Sequence, residues 1–127
     1  HSDAITCMSA DGGITIRGND IDWNYAGQAD QAGINNWFRI ESYAAASNIW
    51  DDILIEGNRL RHANDRSFAM QVAMKDSPVW RGSIKVRGNV MDKAGGARKI
   101  LYAPSSHISE WSGNTDASGA DIPLSAA

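Results

Sequence analysis

The sequence predicts an all-β solenoid, a stack of β coils, and three observations predict it. One phrase recurs: Ile14-Thr-Ile16-Arg-Gly18-Asn19-Asp-Ile21, then Ile53-Leu-Ile55-Glu-Gly57-Asn58-Arg-Leu60, then Ile84-Lys-Val86-Arg-Gly88-Asn89-Val-Met91, with a degraded fourth copy ending at Gly113-Asn114. Between successive copies lies a second apolar or alternating run, so each coil has at least two sides. The corner asparagines are separated by 39, 31 and 25 residues. A stacked strand tolerates that unevenness, because a coil takes up insertions at its corners without losing register.

Taken in order, residues 4–8 open the chain as a strand with Ile5 and Cys7 inward and Thr6 outward. In each copy of the phrase, two β-branched residues two apart form the inward face of a strand. The Gly-Asn pair that follows turns a sharp corner, since both residues tolerate left-handed backbone. Residues 37–43 read as a strand with Phe38 and Ile40 inward and Arg39 and Glu41 outward. In residues 68–74, Phe68, Met70, Val72 and Met74 face in and Gln71 faces out. Thr6, Arg39, Glu41 and Gln71 would then form one outward column. Residues 100–103 supply the last such strand. Residues 24–36, 44–52 and 77–82 read as corner insertions, and 93–99 as a short turn around Gly95-Gly96. In the last copy Trp111 takes the place of Ile16, and Ser109 that of Ile14, the decay expected of a terminal coil. Coils span 1–116; residues 117–127, small, polar and Pro-containing, form an extended tail or linker.

These residues carry a resemblance. The chain resembles right-handed parallel β-helix proteins of the pectate-lyase-like superfamily, of the kind found in secreted polysaccharide-active enzymes and in phage tailspike and tail-fibre proteins. The opening His1-Ser-Asp3-Ala-Ile5-Thr6 is also similar to a His-x-Asp phrase of bacterial and phage β-helix proteins, which often continue with Gln where this chain has Thr6. The resemblance implies a right-handed parallel β-helix fragment of about four coils, with Asn19, Asn58, Asn89 and Asn114 stacked as a ladder. It implies fold more than function, because the superfamily hosts lyases, hydrolases, binding domains and structural shafts.

Composition sets outer bounds. The chain has 127 residues, 43% hydrophobic and 21% charged, which is neither disordered nor membranous, and no apolar run long enough to span a bilayer. A formal charge of −3 and a pI near 5.5 argue against nucleic-acid binding, which needs a basic stripe to displace counterions. The single Cys7 excludes an internal disulfide framework and reads as a small buried hydrophobe. The chain opens at His1 already inside a coil, and an uncapped solenoid end exposes a row of backbone groups. The expectation is therefore a fragment of a larger protein, with the remainder of its own polypeptide as one partner.

The candidate chemistry is carried by few residues. Arg39 and Glu41, two apart on a strand, share a face. As a plain ion pair they are structural; as a site, Glu41 is the acid or base and Arg39 neutralises a sugar carboxylate or developing anion. Asp3 could partner Glu41 across a glycosidic bond, and His1 beside Asp3 gains basicity from the carboxylate. Thr6 and Gln71 would bind substrate from the same column. Of five tryptophans, Trp37 and Trp80 are the candidates for stacking on sugar rings, Trp23 and Trp50 sit in loops, and Trp111 reads as core or cap. No metal site is expected, since no third ligand recurs at ligand spacing, and no cofactor is implied.

Two function classes follow. The first is a carbohydrate-binding and polysaccharide-cleaving β-helix, part of a secreted lyase or hydrolase or of a phage tailspike depolymerase. The alternative is a non-catalytic structural or adhesive shaft of a virion or surface protein. Either places the chain outside the cell or on a virion surface, is compatible with a homotrimer, and involves neither nucleic acid nor membrane. An acid, a base and a cation grouped on one lateral face would favour the enzyme.

Overall fold

The computed structural model describes residues 2–8, 12–22, 34–41, 49–61, 68–72, 79–92 and 99–124. Among these the chain is all-β. The first unit comprises β1 (Ser2–Met8), β2 (Gly12–Arg17) and β3 (Asp20–Asp22); the second, β4 (Ile34–Glu41), β5 (Ile49–Glu56) and β6 (Arg59–Arg61). The third comprises β7 (Phe68–Val72), β8 (Val79–Trp80), β9 (Ile84–Arg87) and β10 (Val90–Asp92); the fourth, β11 (Lys99–Tyr102) and β12 (Ile108–Ser112).

The strands pair in parallel into three sheets, β1-β4-β7-β11, β2-β5-β9-β12 and β3-β6-β10. Each strand thus pairs with the strand that holds its own place one circuit later, an arrangement compatible with a β-helix or solenoid. The third sheet was not legible as a strand position. Its members are three residues long with one inward side chain each (Ile21, Leu60, Met91), too short for alternation to show.

Inward columns form the core. Ile5 pairs with Phe38 and Phe38 with Met70; Ile14, Ile53 and Ile84 align, as do Ile16, Ile55 and Val86. Phe38, Ile40, Ile53, Ile55, Leu60, Met70, Val72, Ile84 and Val86 are fully buried. Met74 and Tyr43 lie outside the described residues, as do the side chain of Phe68 and all of residues 93–98. Two expectations are corrected. A register shift between Ile108 and Glu110 brings Ile108, not Ser109, opposite Ile84; the extra residue of a bulge restores the inward parity that the spacing alone denies. Trp50 is not in a loop: it lies in β5, fully buried, because β8, read as part of an insertion, pairs along β5 and covers it. Gly82, after β8, makes that approach feasible, since a Cβ there would overlap the Asp52 amide and the Asp51 carbonyl carbon.

The corners are uniform. Gly18, Gly57, Gly88 and Gly113 adopt φ of 67°, 63°, 63° and 59°, left-handed backbone that only glycine enters without strain. The asparagine after each glycine builds a ladder. The Asn58 backbone N–H and Nδ2 both donate to Asn89 Oδ1 at 2.9 Å, and Nδ2 also donates to the Ile16 carbonyl at 2.9 Å. Asn89 repeats this toward Asn114 Oδ1 (3.2 and 2.9 Å) and the Ile55 carbonyl (3.0 Å), and Asn114 Nδ2 donates to the Val86 carbonyl at 2.9 Å. Asn58, Asn89 and Asn114 are buried.

Residues 115–122 close the stack. At each corner the next unit's backbone donates to the asparagine carbonyl: Arg59 to Asn19, Val90 to Asn58, Thr115 to Asn89. At Asn114 the Ile122 N–H takes that place at 2.9 Å, and the Ile122 carbonyl accepts from the Trp111 indole at 2.8 Å. Asp116 shapes the turn by accepting from the Ser118 hydroxyl, the Ser118 amide and the Ala120 amide at Oδ1. Part of the region read as tail, 117–122, is thereby folded back on the last unit.

Candidate functional site

The first sheet positions the residues singled out from sequence. In its register Thr6, Arg39 and Gln71 are direct neighbours, while Glu41 lies opposite Met8. Arg39 Nε donates to Glu41 Oε1 at 2.8 Å, so the pair forms as its spacing indicates. The face is not open, however. Glu41 is only 1% exposed, Arg39 only 15%, and Glu41 Oε2 meets no hydrogen-bond donor among the described residues. Trp37, on the same side of β4, is fully buried, and its indole N–H donates to the Arg61 carbonyl at 3.0 Å. Strand parity correctly separated the two sides of β4, but it carries no information about what covers the outer one. Trp37 and Glu41 are thus buried in this structure rather than set on an open outer face. Thr6 is exposed. His1 lies outside the described residues, as do the side chains of Asp3 and Gln71.

Trp80 packs within the molecule. Its ring stacks on His107 at 4.4 Å and 14°, and meets Trp50 edge-on at 5.2 Å and 85°. The stack with His107 occupies one face of the Trp80 ring.

Among the described residues, a row of charge lies on the outer side of the β2-β5-β9-β12 sheet, and a separate Arg61–Asp20 pair lies on the β3-β6-β10 sheet. Arg17, Glu56 and Arg87 align in register, each the residue before its corner glycine. Arg17 Nε donates to Glu56 Oε2 and Arg87 Nε to Glu56 Oε1, both at 2.8 Å, and Arg87 Nη1 reaches Glu110 Oε2 at 3.2 Å. Beside this row, Asp52 accepts from the Ser83 amide at 2.9 Å and from Lys85 Nζ at 3.4 Å, and Arg81 pairs with Asp51 at 3.1 Å. The sequence signal for the row was the alternation Arg-Gly, Glu-Gly, Arg-Gly in the repeated phrase. Among the described residues, no three of His, Cys, Asp or Glu group as a metal site.

The electrostatics follow from these contacts. Glu56 is held below the usual carboxylate range, chiefly by the Arg87 hydrogen bond and then by Arg17. Asp52 is lowered by the Ser83 amide and then by Lys85, and Arg87 is raised by Glu56. Because the folded values of Glu56 and Asp52 lie below those of the unfolded chain, their stabilisation is complete above the ordinary carboxylate range. It is lost as the pH falls through the depressed values. Stability in urea is expected to fall as the pH is lowered from neutral through and below the ordinary carboxylate range, where these carboxylates protonate. Glu56→Gln is expected to lose less over that interval. An identical acid loss in the variant would show that the row does not contribute.

Comparison with protein-family models, with curated proteins and with solved structures gave no match for this chain.

Proposed function

We propose that this chain is a length of right-handed parallel β-helix of the pectate-lyase-like kind, acting as a non-catalytic structural or adhesive scaffold of an extracellular or virion-surface protein. The observation that supports this reading is the row Arg17–Glu56–Arg87–Glu110, in which the charges alternate and each carboxylate is paired. A general acid needs a raised pKa so that it still carries a proton at neutral pH. Glu56 and Asp52 are shifted the other way and have none to give. Each of their oxygens already accepts a guanidinium, ammonium or amide donor, and a carboxylate stabilised in its charged form is a weaker base. What such a row does well is tie successive units together side by side along the length of a rod.

A second reading, the polysaccharide-cleaving enzyme, is favoured by one feature. Glu56 and Glu110 both reach Arg87 on an open face, two carboxylates around one cation. The two readings part on turnover. The folded chain is incubated with uronate-containing and neutral polysaccharides, and reducing ends and unsaturated uronate ends are measured. The scaffold reading expects neither to rise above a no-protein control. Turnover that Glu56→Gln or Glu110→Gln abolishes would replace it with the enzyme.

A further inference from the structure

The two ends of the stack are chemically unlike. At the last unit the position of a following strand is taken by Ile122, whose amide donates to the Asn114 carbonyl. At the first unit, β1, β2 and β3 are the terminal strands of their sheets, as β11, β12 and β10 are at the other end, but among the described residues no backbone group takes the corner place that Ile122 takes at Asn114. The inward residues there, Ile5, Cys7, Ile14 and Ile21, are only partly buried, whereas their partners one unit later, Phe38, Ile40, Ile53 and Leu60, are fully buried.

The ladder bonds also differ at that end. The Asn58 and Asn89 amides donate forward to the next Oδ1, and those of Asn58, Asn89 and Asn114 donate back to the carbonyl three residues before the preceding asparagine: Ile16, Ile55 and Val86 respectively. Asn19 Nδ2 donates forward to Asn58 Oδ1 at 3.0 Å, but its other bond, at 3.2 Å, goes to the Arg17 carbonyl of its own strand. Oδ1 of Asn58, Asn89 and Asn114 each accepts two bonds. Among the described residues, none donates to Asn19 Oδ1.

We propose that the open edge of β1, β2 and β3 is a docking surface for one further coil of parallel strands that ends in the same apolar-x-Gly-Asn corner. This deepens the β-helix reading and rests on it. Such a coil would supply the asparagine N–H and Nδ2 donors that Asn19 Oδ1 lacks, a carbonyl to draw Asn19 Nδ2 off its own strand, and apolar side chains over Ile5, Cys7, Ile14 and Ile21. The corner chemistry disfavours a second copy of this chain. Stacked head to tail, the copy would present an Asn114 carbonyl already taken by the Ile122 amide; stacked head to head, it would set one Asn19 acceptor against another and reverse the strand direction.

The test is a fusion in which residues 34–61 followed by residues 23–33 precede Ser2, so that a copy of the second unit lies ahead of the first. Amide hydrogen exchange in β1–β3 is expected to slow at least about tenfold, toward the level of β4–β6. Replacing the asparagine of the added unit by leucine is expected to remove that gain around Asn19. A monomeric fusion with the added β signal and unchanged exchange in β1–β3 would overturn the proposal. The unmodified chain provides a check independent of the fusion's folding: its β1–β3 amides are expected to exchange at least about tenfold faster than those of β4–β6. Equal protection, or a discrete dimer that protects β1–β3, would also overturn it. Asn58→Ala separates the two levels of inference: if that change costs no stability the β-helix reading fails, and if it does while the fusion gains nothing, only the docking surface fails.

Discussion

Asn89→Ala is expected to lower the unfolding free energy by about 3 kcal/mol or more, read as a shift of the urea midpoint at constant slope. Asn89 is fully buried, and its side chain makes four hydrogen bonds: two donated, to Asn114 Oδ1 and the Ile55 carbonyl, and two accepted, from the Asn58 backbone and Nδ2. Alanine removes all four: the Ile55 carbonyl loses its Asn89 donor and the Asn58 backbone N–H loses its Asn89 acceptor, while Asn58 Nδ2 keeps only the Ile16 carbonyl; a buried group left unpaired costs about 1–3 kcal/mol. Asn19→Ala is the control. Asn19 is half-buried, its Oδ1 accepts from no described residue, and the Asn58 Oδ1 it would leave still accepts from the Asn19 backbone N–H at 2.9 Å. Its loss is expected to be under about 1 kcal/mol. Asn114→Ala is expected to rank with Asn89, because Asn114 is buried and donates to the Val86 carbonyl beneath the Ile122 closure. Equal losses at Asn19 and Asn89 would contradict the ladder.

Ile55→Ala is expected to cost about 3–4 kcal/mol, the range for truncating a fully buried aliphatic side chain whose neighbours cannot collapse into the space. Ile55 has no exposed surface and sits between Ile16 and Val86 in register, with backbone above and below held by ladder bonds. A stack tied at 4.7–4.9 Å strand spacing, roughly, cannot close sideways over a missing branch. Ile14→Ala removes the same atoms from a partly exposed position on the first unit and is expected to cost clearly less. Thermal and urea unfolding of the two variants provide the comparison; a larger loss at Ile14 would place the core elsewhere.

Much of the fold was legible because a parallel stack repeats its local chemistry. Ile14, Ile53 and Ile84 fall into one column, and Ile16, Ile55 and Val86 into the next, since alternation on a strand has a period of two and cannot drift. The candidate site was legible only in part. Arg39 and Glu41 do pair, and Thr6, Arg39 and Gln71 do align. Their enclosure was not visible, because β4 shows which side a residue takes and not whether other segments fold over that side. The opposite error applies to Arg17, Glu56 and Arg87. Their alternation stood in the repeated phrase, but at sequence separations of 39 and 31 residues it becomes an ion-pair row only when the strands are placed side by side.

By itself the sequence determined the repeating strand, the left-handed glycine corner and the asparagine that follows it, since these are matters of backbone sterics and side-chain parity acting over a few residues. It determined too that stability would rest on stacking, with one cysteine and no disulfide. Only the tertiary structure decided which of the chain's faces would be covered and which left open. Burial of Glu41 and Trp37 and the folding of Ile122 onto the Asn114 corner depend on segments meeting in space. Solvent exclusion is a property of that meeting, and no local pattern encodes it.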